Sequence, residues 1–214
     1  MGKWTALILV WVPLALAGCG SGNSEPPPPA GSYEAASAFI ADGKCDRAVP
    51  VLEPVARQGR GFEVAQDQLG VCQLQLAQKI ADPALRSQRQ AEAAKWILTA
   101  GNSGVTSAQQ HLARMALDGI GMPADKIEAG KWATLFRRNP MRLQLGPSEL
   151  DPALDKQLRD SLSSADWAAA TARADQWRPT IQDVGPAADT TQPPVERPAF
   201  APPSQTNKQR RPAG

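Results

Sequence analysis

Histidine and tyrosine each occur once in the 214 residues, and cysteine only three times. One histidine, His111, together with two cysteines that are free to pair with each other, does not make a zinc-type ligand set. No Gly-x-Ser-x-Gly elbow and no Ser-x-x-Lys occurs, which excludes two common serine-nucleophile arrangements. Gly119, Gly121 and Ala124 satisfy Gly-x-Gly-x-x-Ala, but the segment follows a helical pattern instead of a strand and contains Pro123, so it does not read as a nucleotide loop. Charge of one sign is also scarce. The formal net charge is +2, which provides no global field to recruit nucleic acid. Nor is there an apolar run of the about 20 residues that a spanning helix needs: the longest, residues 4–17, contains Pro13 and ends at Gly18. The expectation is therefore a protein without catalysis, cofactor, metal, nucleic acid or small-molecule substrate.

What the N-terminus does have is the layout of an export signal: Lys3, a short apolar stretch, then small residues. Leu16-Ala17-Gly18-Cys19 resembles the lipobox of bacterial lipoproteins. That resemblance implies a signal peptide over residues 1–18, diacylglycerol on the Cys19 thiol and acylation of the new amine. Two or three acyl chains suffice for stable attachment without a spanning segment. Gly20 stands where an inner-membrane lipoprotein typically has Asp, so the resemblance favours the outer membrane, facing the periplasm. Residues 19–31, with four prolines from Pro26 to Pro29, read as a lipidated cysteine followed by a flexible Pro-rich tether.

The rest of the chain is built around a duplicated helix. Glu92-Ala93-Ala94-Lys95-Trp96 returns thirty-six residues later as Glu128-Ala129-Gly130-Lys131-Trp132. Ala93, Trp96, Ile97 and Ala100, and then Ala129, Trp132, Ala133 and Phe136, fall on one face at helical spacing. Glycine and proline punctuate the region and predict helices over residues 33–41, 63–77, 89–100, 107–118, 125–137 and 152–162, with a closing helix over 162–179. Residues 45–58 carry a helical stripe, but Pro50 and Pro54 argue against an unbroken helix, and residues 82–87 read as a looser segment. An earlier, degenerate copy is visible too. Ala65, Gln66 and Leu69 match Ala108, Gln109 and Leu112 forty-three residues on, and the spacing beyond thirty-six falls in loops, where arrays tolerate insertion.

In order and period these residues resemble the Sel-one-like repeat, an α/α relative of the tetratricopeptide repeat. Ala108-Gln109, Leu112, Gly119, Gly121, Pro123, Asp125, Ala129 and Trp132 stand at its positions, and residues 51–59 resemble the opening of a first repeat, proline included. Ala113 departs from the usual glycine. The resemblance implies an all-α fold, a short right-handed α/α superhelix over residues 32–179, closed by a capping hairpin in which Trp167, Ala170, Ala174 and Trp177 form a stripe. Residues 180–214, proline-rich and ending with Lys208, Arg210 and Arg211, read as a disordered tail.

Cys45 opens one helix and Cys72 sits in the next, and the turn of residues 59–61 lies midway between them, so an antiparallel hairpin brings the two level. They form a disulfide or remain separate thiols, with Cys72 at the core position that Met115 holds in the next repeat. His111 reads as an exposed helix-face histidine, and the tryptophans read as core. In arrays of this family the first helix of each repeat tends to line the concave surface, which here would present Gln66, Gln68, Gln73, Gln75, Gln110, His111 and Arg114 to a partner or simply to solvent. The functional expectation is a membrane-anchored, non-catalytic scaffold for another envelope protein; the alternative is a cell-wall or glycan-binding lipoprotein.

Overall fold

The computed structural model describes residues 32–144 and 146–183. The expected signal peptide, Cys19, the tether and residues 184–214 lie outside the described residues. Those described form eight α-helices: α1 Tyr33–Ala41, α2 Cys45–Ala56, α3 Glu63–Ala77, α4 Pro83–Asn102, α5 Thr106–Asp118, α6 Lys126–Arg138, α7 Pro152–Ser161 and α8 Ser164–Gln176. A 3-10 turn, Pro140–Leu143, follows α6, and there is no strand among the described residues. The architecture is all-α and repeat-like. Each helix packs on its successor from α1 to α6, and α8 packs on α6.

Local chemistry explains most boundaries. Ser32 caps α1 by accepting from the Ala35 amide, as its position predicts. Asp125 caps α6 through the Ile127 and Glu128 amides, and Ser163 and Asp166 make a reciprocal capping box on α8.

Two expectations are corrected. The segment at residues 82–87 is helix: Asp82 caps it through the Ala84 amide, 2.9 Å, and Pro83 occupies the first helical position, where its missing N–H costs nothing. In addition, α2 runs unbroken through both prolines. Pro50 and Pro54 are four residues apart on the exposed side, opposite the buried Ala48, Leu52 and Ala56. The carbonyls deprived of a donor therefore lie on the stripe that water reaches, and burial of the other stripe outweighs the local penalty.

Helix α4 divides two buried clusters. Its Trp96 packs with Ala36, Cys45, Leu52, Leu69 and Cys72, while its Ile97 packs with Leu112, Met115, Trp132 and Phe136. Both copies of the repeated stripe are buried: Ala93, Ile97 and Ala100 in one, Ala129, Trp132, Ala133 and Phe136 in the other. The second copy is covered from the C-terminal side. Leu154, Leu158 and Leu162 close the larger cluster, and α8 reaches α6 at Gly130, where a Cβ would stand 2.6 Å from Leu162 and 2.9 Å from Ala170. Gly130→Ala is expected to lower stability by about 1–3 kcal/mol by forcing α8 outward. Urea unfolding checks this, and an unchanged midpoint would contradict the close α6–α8 approach.

Residues 180–183 lie against the helix stack: the Thr180 amide donates to Asn102 O at 2.8 Å, and Arg60 pairs with Asp183 at 3.0 Å.

Candidate functional site

Helices α3, α5 and α7 are joined by polar side chains in a repeating pattern. Asp67 on α3 reaches forward to α5, where its Oδ2 accepts from Ser107 Oγ at 2.6 Å and its Oδ1 lies 2.9 Å from His111 Nδ1. Forty-three residues later, Gln110 stands at the equivalent position and also reaches forward: its Oε1 accepts from the Asp151 amide at the head of α7, 2.8 Å. His111, one position on, is the α5 end of that same Asp67 bond, and Gln68 is its counterpart on α3. Arg114, one turn beyond Gln110, donates to Asp151 Oδ1 at 3.0 Å and to Gln157. Together these bonds make a ladder of ties across α3, α5 and α7.

The ladder relocates the predicted partner-binding residues. Gln66 is 1% exposed and its Nε2 donates to Ala56 O at 3.1 Å, so it closes the α2–α3 turn and presents nothing to a partner. Its counterpart Gln109 is equally buried, accepting from Asn139 Nδ2 at 3.1 Å. Gln110 and Arg114 are half-buried and engaged with α7. His111 is not a free surface histidine; its side chain is 36% exposed and rests on a carboxylate that is 3% exposed. Gln73 and Gln75 lie on opposite sides of α3. Gln75 is exposed, and Gln73 borders a cleft of about 350 Å³ with Leu76, Ala77, Ile80, Arg89 and Glu92. The Gln73 carbonyl oxygen is buried there without a hydrogen-bond partner among the described residues, and such an atom favours any ligand that brings a donor.

Asp67 was not legible as a site residue, although its alignment with Gln110 is a signal for it. Its charge acts on two neighbouring groups. Burial opposes charging of His111, but the hydrogen bond and negative charge of Asp67 outweigh it and hold the imidazole above its ordinary value. Partial burial, with a smaller contribution from the Asp67 charge, pushes the Tyr33 phenol up. The His111–Asp67 pair consequently contributes its full stability below the unfolded histidine value of about 6.5, and that contribution is lost as pH rises through the higher folded value. The melting temperature of the wild type relative to His111→Gln is thus expected to fall across that window. A pH-independent difference would contradict the pair.

Cys45 and Cys72 lie at disulfide distance, with sulfurs 2.17 Å and Cα atoms 5.0 Å apart, joining the start of α2 to the middle of α3. Trp96 and Trp132 are buried in the core, and Trp167 and Trp177 are half-buried, with Arg137 over the Trp167 ring at 5.3 Å. Among the described residues no three His, Cys, Asp or Glu side chains cluster as metal ligands, and no helix is long and apolar enough to cross a membrane. No family model, curated protein or solved structure matches the chain.

Proposed function

We propose that this protein is a lipid-anchored envelope lipoprotein, held at the outer membrane through Cys19, whose Sel-one-like helices form a short right-handed superhelix that binds another envelope protein without carrying out chemistry. The observation that carries the reading is the ladder across α3, α5 and α7. It fixes the first helix of each pair in register, and a surface fixed before binding loses less conformational freedom when a partner docks. The recognition groups are the exposed Gln75 with the open edge of His111 and, on the opposite side of α3 where it borders the cleft with α4, Gln73; they suit an extended segment or loop rich in backbone donors and acceptors. Gln110 and Arg114 support the surface by holding α7.

Two readouts test the proposal separately. Metabolic labelling with palmitate is expected to mark the wild type and to fail for Cys19→Ser; an unlabelled wild type would remove the anchor. Affinity capture from membranes is expected to lose a partner with Gln73→Glu plus Gln75→Glu. An identical partner set from both proteins would remove the α3 surface.

A further inference from the structure

The chain beyond α8 turns back across the end of the stack where the α2–α3 and α4–α5 turns lie. Three bonds hold it there. The Thr180 amide donates to Asn102 O at 2.8 Å, Ser103 Oγ donates to Thr180 O at 3.1 Å, and Arg60 Nε donates to Asp183 Oδ1 at 3.0 Å. The first two engage the main chain of Thr180, once by the backbone of Asn102 and once by the Ser103 hydroxyl, and so read no side chain of the held segment. Asn102 belongs to the last turn of α4, whose carbonyls have no donor within the helix, so an incoming N–H meets an acceptor already in place.

The held segment is shallowly seated. Arg60 and Asp183 are 65% and 81% exposed, Ile181 is 50% exposed, and Thr180 and Gln182 are exposed as well. A surface ion pair of this kind adds little stability and is screened by salt. The flanking turns leave room: a Cβ added at Gly61 or Gly104 would meet nothing within 4 Å. Main-chain pairing at one residue and a carboxylate three residues later therefore suffice to occupy the surface, and nothing in it selects Ile181 or Gln182.

We propose that Asn102, Ser103 and Arg60 form a docking track for an extended peptide whose pairing residue is followed three positions later by a carboxylate, and that residues 180–183 are its resident, displaceable occupant. A partner segment of the same chemistry replaces them. This rests on the reading of the protein as a non-catalytic binder and adds a second contact, at the end of the stack, that its own tail keeps closed.

The test uses full-length protein in detergent and a fluorescein-labelled peptide of residues 178–186, followed by fluorescence anisotropy. Three proteins are compared: wild type, the released variant Thr180→Pro plus Asp183→Ala, and the released variant that also carries Arg60→Glu. Thr180→Pro removes the N–H that pairs with Asn102, and because the segment is exposed the melting temperature is expected to stay within a few degrees, which circular dichroism monitors. The peptide is expected to bind the released variant at least tenfold more tightly than the wild type. Adding Arg60→Glu, or replacing the peptide's Asp183 by Asn, is expected to weaken that binding by a few-fold, the size an exposed ion pair supplies. Equal affinity for wild type and released protein, no binding to either, or binding indifferent to Arg60 would overturn the track. The peptide assay depends on neither Cys19 nor the α3 surface, so its failure leaves the palmitate and capture results standing, and their failure leaves the track standing.

Discussion

Trp132→Ala is expected to destabilise the fold by about 3–5 kcal/mol, the range for deleting a fully buried aromatic. Trp132 is 1% exposed at the centre of the larger cluster, with Leu112, Met115 and Phe136 around it. Its ring edge approaches the backbone of α4 at Gly101, where a Cβ would stand 3.6 Å from Cζ3, and Lys131 Nζ sits over the ring at 4.1 Å. Collapse cannot refill that space, because α4, α5 and α6 are fixed against one another by Ile97, Leu112 and Phe136, each 0–1% exposed. The half-buried Trp167 at the α6–α8 contact gives the internal comparison, since Trp167→Ala is expected to cost well under half as much. Urea unfolding followed by helical circular dichroism measures both. A Trp132→Ala loss below about 1 kcal/mol would mean that the tryptophan of the repeated motif is not a core residue.

Loss of the Cys45–Cys72 link is expected to cost about 3.5 kcal/mol under oxidising conditions, on the chain-entropy account for a loop of this size. The two residues are 27 apart in sequence, and both are nearly inaccessible, 3% and 1% exposed. Because both cysteines also fill the smaller cluster beside Leu69 and Trp96, either Cys→Ala change mixes a lost link with a small cavity. Reductant separates the two effects. It is expected to lower the unfolding midpoint of the wild type and leave that of the Cys45→Ala plus Cys72→Ala variant unchanged. Two titratable thiols in denatured, unreduced protein would show that the pair is not bonded in the cell.

The helices were legible where glycine and proline punctuate a strong apolar stripe, as in the twin Trp96 and Trp132 segments. They were misread where one residue type serves two purposes. Pro83 reads as a breaker, yet behind Asp82 it is a helix start. Pro50 and Pro54 also read as breakers, yet their four-residue spacing places both on the wet side of α2, a pattern visible in the sequence once it is sought. The polar residues were harder for a physical reason. Gln66 and Gln73 are both glutamines on one helix, but only three-dimensional packing decides that one satisfies a turn carbonyl while the other borders a cleft. The Asp67–His111 bond joins residues 44 apart and depends on how α3 and α5 pack. The segment at residues 180–183 has neither stripe nor cap, so nothing local marks it as held.

Site-specific photo-crosslinking tests the scaffold reading most directly. A photoreactive side chain at Gln75, on the exposed part of the α3 surface, is compared in intact cells with one at Leu98, which is 40% exposed on α4. The account predicts a discrete crosslinked partner from position 75 that is absent from position 98. The same products from both positions, or none from position 75, would contradict it.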